Sequence, residues 1–277
     1  MNNVTHPIGI FDSGIGGLSV LRHIREKLPA EDLCYFADSG FAPYGEKPEE
    51  AVVGRTLEIA RHLLESCSCK ALVVACNTAT AAAVHLLRQM YPGTPIIGIE
   101  PGLKPAASIT RSQVVGVLAT ERTLSSSKFK LLHQELDSST GVRFIMQPCP
   151  GLADIVEKKE LHSDRAFELV RLYLLPLIAQ EADTIVLGCT HYPFLLHVIE
   201  KTISESTEKT IHIVDTGIAV TRQLVRVLEM QNLRNTQASA NSGIYAMTTG
   251  DTSILEKQFK HLLNIRPTVA GVPANLK

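Results

Sequence analysis

Ala71-Leu72-Val73-Val74-Ala75-Cys76-Asn77-Thr78 and Thr184-Ile185-Val186-Leu187-Gly188-Cys189-Thr190-His191 share one design: an uninterrupted apolar run, then a cysteine flanked by small polar side chains. Runs of Val, Ile and Leu without alternation are expected of strands covered on both faces, as in a parallel sheet. Similar runs begin at Ile8, Leu33, Ile96, Val114, Arg143 and Ile211, and a further strand is expected over Ile244–Thr248. Helical spacing of apolar residues separates them, notably over Glu49–Glu65 and over Asp164–Ala179, where Ala166, Phe167, Val170, Leu174 and Leu175 fall on one face. Strands alternating with helices predict an α/β protein with mainly parallel sheets.

The two cysteine strands are also the clearest trace of a repeat. Ile8-Gly9-Ile10-Phe11-Asp12-Ser13 resembles Val115-Gly116-Val117-Leu118-Ala119-Thr120 at an offset of 107, and the cysteines are offset by 113. The expectation is two similar α/β domains related by a pseudo-two-fold, with the active site in the cleft between them. Glu100-Pro101-Gly102 reads as the crossing into the second domain and the segment around Glu208 as the crossing back. The domains are therefore expected at 1–99 with 212–277, and at 100–211. The polar stretch Gln231–Gly243 reads as a loop, followed by the strand at Ile244 and a last helix from Thr252. Ligands in open α/β sheets bind beyond the carboxyl ends of the strands, where these motifs lie.

Composition narrows the function. The chain has 277 residues, 45% apolar and 20% charged, with a formal net charge of −1, so no overall basic field argues for nucleic acid or an anionic membrane. No apolar stretch approaches the ~20 residues of a membrane span, and the polar opening Met1-Asn2-Asn3-Val4-Thr5-His6-Pro7 lacks the pattern of a signal peptide. The expectation is a cytoplasmic protein whose six cysteines are thiols. Cys67-Ser68-Cys69 invites a metal reading, but no second pair of matching spacing exists, so Cys34, Cys67 and Cys69 are read as small buried hydrophobes and no metal is expected.

Asp12-Ser13-Gly14-Ile15-Gly16-Gly17 follows the first strand and opens a helix through Leu18, Leu21, Ile24 and Leu28. Glycines and free amides there suit an anion. The spacing is not that of a dinucleotide fingerprint, no P-loop lysine follows, and Asp12 would repel phosphate, so a compact amino acid fits better. The plain alternative is Asp12 as the helix N-cap. Ala42-Pro43-Tyr44-Gly45 is a turn whose tyrosine reads as a lid or as an ordinary surface residue. Cys76 and Cys189, matched in the repeat, suit removal of a proton from one face of a carbon and its return to the other. His191 is the candidate to activate Cys189. A nucleophilic cysteine hydrolase leaves the second thiol unexplained, C-x-x-C is absent, and Lys70 sits at the wrong end of its strand for a pyridoxal Schiff base. Glu157 reads as an acid in the first turn of a helix, favoured by the dipole.

Taken together, Asp12-Ser13-Gly14-Ile15-Gly16-Gly17-Leu18, Pro43-Tyr44-Gly45, Ala75-Cys76-Asn77-Thr78-Ala79 and Leu187-Gly188-Cys189-Thr190-His191-Tyr192-Pro193 closely resemble the glutamate racemase family. The likeness runs in order from Ile8 to about Val227 and more loosely to Thr248-Thr249-Gly250-Asp251. It implies a cofactor-independent enzyme that interconverts L- and D-glutamate and supplies D-glutamate for peptidoglycan. It implies that Cys76 deprotonates D-glutamate and Cys189 L-glutamate, with Asp12 assisting the first and His191 and Glu157 the second. Asp12, Ser13, Tyr44, Gly45, Asn77, Thr78, Thr120, Thr190 and His191 would hold the substrate. A homodimer is implied too. Arg122 stands where the family pattern has glycine, and the chain is expected to lack the N-terminal extension through which some members are activated by a cell-wall precursor. The alternatives are an aspartate racemase or related two-cysteine isomerase or decarboxylase, and a non-catalytic amino-acid-binding or thiol-sensing protein of the same fold.

Overall fold

The computed structural model describes residues 4–237, 243–273 and 276. Within the loop expected at Gln231–Gly243, positions 238–242 lie outside the described residues, as do positions 1–3 of the polar opening. The chain forms two compact units, Met1–Ile99 with Gly217–Lys277, and Glu100–Thr216.

In the first unit, β1 (Ile8–Asp12), α1 (Leu18–Lys27), β2 (Leu33–Ala37), α2 (Glu49–Arg61), β3 (Ala71–Val74), α3 (Asn77–Met90) and β4 (Ile96–Gly98) follow in order. The second unit contains α4 (Leu103–Ile109), β5 (Val114–Ala119), α5 (Glu121–Ser125), α6 (Ser127–Thr140), β6 (Arg143–Pro148), α7 (Leu152–Glu157), α8 (Asp164–Ala179), β7 (Thr184–Leu187), α9 (Leu196–Ser206) and β8 (His212–Asp215). The chain then passes through α10 (Thr216–Met230), and β9 (Ile244–Thr248), α11 (Thr252–Leu263) and β10 (Thr268–Gly271) complete the first unit.

Every strand pair is parallel. The six-stranded sheet has the order β10-β9-β2-β1-β3-β4, and the four-stranded sheet β6-β5-β7-β8. The segment β2-β1-β3-β4 is thus reproduced in the second sheet, and in the same register. Ile8 pairs with Ala71 as Val115 pairs with Thr184, and Phe11 pairs with Val74 as Leu118 pairs with Leu187. The offsets of 107 and 113 are the two halves of this one pairing. β1, β2, β3 and β7 are buried along their whole length, as unalternated apolar runs require.

Local chemistry explains the element ends. Ser163 caps α8 by accepting from the Ala166 amide, Ser126 caps α6 through Phe129, and Asp251 caps α11 through Ser253 and Ile254. α2 stops short of Glu65: its last turn widens to a π-type turn over His62–Ser66, which closes with Cys67. The sequence gives no sign of β10, an edge strand whose Thr268-Val269-Ala270-Gly271 is only partly buried and has no apolar run.

Lys70 precedes β3 at its amino end, and its ammonium is fully buried against the buried Glu31 carboxylate. It also donates to the Val4 carbonyl, while Glu31 accepts from the Asn235 amide at 2.8 Å. The pair ties four distant segments of the first unit together. Lys70→Met, which keeps the volume but strands a buried carboxylate, is expected to cost about 3–5 kcal/mol. Urea denaturation measures it; an unchanged midpoint would show the pair contributes nothing.

Candidate active site

In the first unit the motif residues gather at the carboxyl ends of β1 and β3. Asp12 ends β1 and does not cap α1, which starts at Leu18 with Gly17 before it and no side-chain cap. Its Oδ2 instead accepts from the Gly14 amide at 2.9 Å, and Tyr35 donates its hydroxyl to the Gly14 carbonyl at 2.8 Å. Gly17 makes this possible: a Cβ there would stand 2.6 Å from the Asp12 Cβ and 3.2 Å from that of Ala75. The absent side chain lets the loop and α1 close over the strand ends.

Cys76 lies two residues beyond β3, in the N-cap position of α3, and is 6% exposed. The Ser13 hydroxyl donates to its sulfur at 3.3 Å. Burial and then the neighbouring Asp12 charge push the Cys76 thiol up to about 11, against the hydrogen bonds from Ser13 and from the Ala79 and Thr78 amides. The thiol therefore holds its proton near neutrality. Asn77 and Thr78 form the half-buried first turn of α3, and the Asn77 Oδ1 is a buried acceptor with no partner among the described residues.

Tyr44 and Gly45 lie in a 3-10 turn over Tyr44–Glu46. Tyr44 is neither a lid nor a surface residue. It is 2% exposed, its ring packs against Phe11 and Phe41, and its hydroxyl donates to Asp38 Oδ2 at 2.7 Å. Asp38 is the residue that sequence reasoning missed. Fully buried just after β2, it also accepts from Arg55 Nε at 2.8 Å, Arg55 Nη2 at 2.7 Å and the Thr249 hydroxyl at 2.8 Å. Arg55 in turn donates to the Leu276 carbonyl at 2.6 Å. Two planar, bidentate bonds of this kind hold a buried carboxylate and the turn above it in one geometry. The only signal in the sequence was an aspartate just beyond the carboxyl end of a strand, as at Asp12.

In the second unit, Cys189 again lies two residues beyond its strand and is 7% exposed. The strand exits match in detail: Ala75 N–H donates to the Phe11 carbonyl and Gly188 N–H to the Leu118 carbonyl, each at 2.7 Å. His191 Nδ1 lies 3.6 Å from the Cys189 sulfur, and its Nε2 is 2.8 Å from Glu157 Oε1. Burial opposes charge on His191, but the hydrogen bonds to Cys189 and Glu157 outweigh it and hold the imidazolium well above its ordinary range. Thr190 is buried between them in sequence.

One expectation needs correction here. Glu157 does not open a helix; it is the last residue of the six-residue α7, which starts at Leu152 after the left-handed Gly151 and stops short of Lys159, at a φ of 62°. The Thr120 hydroxyl caps α5, accepting from the Thr123 amide at 3.2 Å and pairing with the Thr123 hydroxyl at 2.9 Å. That hydroxyl is already committed locally, and Arg122 is an ordinary residue of the same short helix. A further thiol, Cys149, is buried directly after β6, where burial and the nearby Cys189 push it up to about 12. Each unit thus presents one thiol beside proton-handling side chains, Asp12 in the first, His191 with Glu157 in the second. Among the described residues, no group of three or more His, Cys, Asp or Glu side chains is arranged to hold a metal ion.

Comparison with known proteins agrees with this arrangement. Residues 8–224 match the Asp/Glu/hydantoin racemase family. A glutamate racemase of Ralstonia nicotianae is 50% identical over 261 residues, which is 94% of this chain and 91% of that one. Among solved structures, the glutamate racemase isoform RacE1 of Bacillus anthracis superposes with a TM-score of 0.86 at 33% identity, covering 99% of this chain and all of the other. The glutamate racemase of Francisella tularensis in complex with D-glutamate gives 0.83 at 25% identity, with 98% of each chain covered. On these likenesses, which span nearly the whole chain and all four motifs, the chain belongs to the glutamate racemases, amino-acid isomerases of the Asp/Glu/hydantoin racemase family.

Proposed function

We propose that the chain interconverts L- and D-glutamate without a cofactor, by two thiols acting on opposite faces of the substrate Cα. The observation that carries this reading is the matched exit of β3 and β7, which puts Cys76 and Cys189 at equivalent positions of a repeated sheet, each just past a 2.7 Å bond to the central strand. A binding protein needs neither thiol, and a hydrolase needs one. In this reading each domain supplies one of the two thiols.

In the L-to-D direction Cys189 removes the Cα proton, and Cys76 delivers its own to the other face. The raised Cys76 thiol suits that donor role, since it carries a proton near neutrality. As the Cys189 thiol is made ready, His191 takes up or hydrogen-bonds the sulfur's proton, with Glu157 holding the imidazole from behind. In the reverse direction Asp12 receives the Cys76 proton, so that the two neighbours do not both carry charge. The Asn77 carbonyl oxygen is an acceptor for the substrate ammonium, and the Ser13 hydroxyl with the amides opening α3 are donors for a carboxylate. Tyr44, Gly45, Thr78 and Thr190 complete the proposed pocket, with Thr120 contributing by its backbone, since its hydroxyl is used. The fully satisfied Asp38 holds the Tyr44 turn in place. The proposed setting is cytoplasmic supply of D-glutamate for peptidoglycan by a homodimer. No helix among the described residues is long and apolar enough to cross a membrane.

Incubation with L-glutamate in D2O, without added cofactor, is expected to abolish the circular dichroism signal while deuterium enters at Cα. Unchanged signals with detectable binding would move the reading to aspartate. Cys76→Ala is expected to lower turnover by at least the ~10²–10⁴-fold of a lost positioned proton donor, with ligand affinity kept within about tenfold. Ordinary activity in that variant would end the two-base assignment.

The His191 pair makes a pH prediction. Folding raises this imidazole above its unfolded value of about 6.5. Its contribution to stability is therefore complete below that pH and is lost as pH rises through the folded value. Glu157→Gln removes one of the groups that raises it, so the loss should be complete at lower pH. Imidazole 15N NMR with urea midpoints between pH 6 and 9 reads both effects; an identical His191 titration in the variant would show that Glu157 does not hold the charge.

A further inference from the structure

Tyr35 is the third residue of β2 and is fully buried. β1 and β2 pair in parallel with Ile10 beside Tyr35 and Asp12 beside Ala37. Paired residues share a face, as do residues two apart along a strand, so Tyr35 and Asp12 stand on the same side of the sheet. There the Tyr35 ring meets the fully buried Phe259 of α11 edge to face, with centroids 5.6 Å apart and planes at 90°. Its hydroxyl donates to the Gly14 carbonyl at 2.8 Å. A Cβ at Gly17 would stand 3.0 Å from that hydroxyl oxygen, so the start of α1 is seated directly on this contact.

The loop held by this bond is the one beside Cys76. The carbonyls of Ile15, Gly16 and Gly17 accept from the Leu18, Ser19 and Leu21 amides as α1 begins. Gly14 is one residue short of that ladder, and the Tyr35 hydroxyl meets its carbonyl instead. The Gly14 amide donates to Asp12 Oδ2 at 2.9 Å, so this residue is fastened on both sides. A glycine has no Cβ to limit its backbone, and bonds from outside must set its conformation. Ser13 lies between Asp12 and Gly14, and its hydroxyl donates to the Cys76 sulfur at 3.3 Å.

We propose that Tyr35 is a positioning residue for the Cys76 half of the proton transfer: its hydroxyl fixes the Asp12-Ser13-Gly14 loop so that Asp12 and Ser13 stay beside the Cys76 sulfur. This rests on the two-thiol reading, in which Cys76 removes the Cα proton of D-glutamate and returns one to the carbanion made from L-glutamate. Loosening the loop slows proton exchange between Cys76 and Cα in both directions, while transfer at Cys189 keeps its own rate constant. Enantiomers have equal free energy, so kcat/KM must fall equally for D- and L-glutamate and does not locate the defect. A kinetic isotope effect does, because Cys76 breaks the Cα–H bond of D-glutamate and Cys189 that of L-glutamate.

Tyr35→Phe removes the hydroxyl and keeps the ring against Phe259. The test measures initial rates of the full chain and this variant with D- and L-glutamate carrying hydrogen or deuterium at Cα. kcat/KM is expected to fall by about five- to tenfold, the order of one lost buried hydrogen bond. The isotope effect on kcat/KM should rise with D-glutamate, where the slowed step is the cleavage itself. It should fall toward one with L-glutamate, where the slowed step comes after cleavage. An isotope effect is a ratio of rates, so a smaller folded fraction leaves it unchanged. Wild-type isotope effects in both directions would overturn the proposal whatever the fall in rate, and so would a rise confined to L-glutamate. Failure of the unaltered chain to racemise either enantiomer would defeat the two-thiol reading itself, and the proposal with it.

Discussion

The parallel pairing of a central strand with the strand that carries a cysteine underlies everything else in this molecule. β1 against β3, and β5 against β7, run in the same register, and in each the chain makes one more backbone bond of 2.7 Å after the strand has ended. That bond sets the direction in which the backbone leaves the sheet. The next residue is the cysteine. A register slip of one would turn the whole side-chain set to the other face and carry the thiol with it, so the position of each sulfur is enforced by an entire buried strand rather than by a loop.

On this shared frame the surroundings of the two thiols diverge. Cys76 opens a fourteen-residue helix, with Asp12 and Ser13 from the neighbouring strand end beside it. Cys189 precedes a 3-10 turn over Tyr192–Leu195, and its partner is an imidazole backed by a carboxylate. Desolvation raises the cost of ionising Cys76. An anion beside Cys76 adds to that cost, whereas a protonated His191 beside Cys189 offers a hydrogen bond to the sulfur. In the proposed two-thiol exchange, such unlike fields would let one sulfur give a proton while the other takes one.

Rigidity around the first thiol comes from groups that take no part in that exchange. Asp38 accepts four hydrogen bonds from Tyr44, Arg55 and Thr249, and so joins β2, the Tyr44 turn, α2 and the segment after β9. A fully buried carboxylate is costly unless each of its lone pairs is met, and here they are. The Asp38 network, the Lys70–Glu31 pair and the close packing at Gly17 all act in one direction: they fix the loops at strand ends to the sheet.

The α/β class, the strand positions and the repeat were legible in the chain because continuous apolar runs have one physical explanation, burial on both faces. The helix over Asp164–Ala179 was read to the residue, since Ser163 marks its cap and its apolar face is regular. Cys76 and Cys189 stood out because each follows an apolar run at the carboxyl end of a strand, where open α/β sheets bind ligands. Long-range polar partners were not legible: Asp38 meets Arg55 and Thr249, and Lys70 meets Glu31, across separations that no local pattern records. The place of Glu157 turned on where a six-residue helix ends, just before Lys159 at a positive φ. The hydroxyl of Thr120 turned on a cap three residues away. Sequence by itself determined which residues are strand, which are helix and where the thiols leave the sheet, because those follow from local periodicity and burial. Tertiary structure alone decided which charges and hydrogen bonds each thiol meets, because electrostatic environment depends on distances that only folding sets.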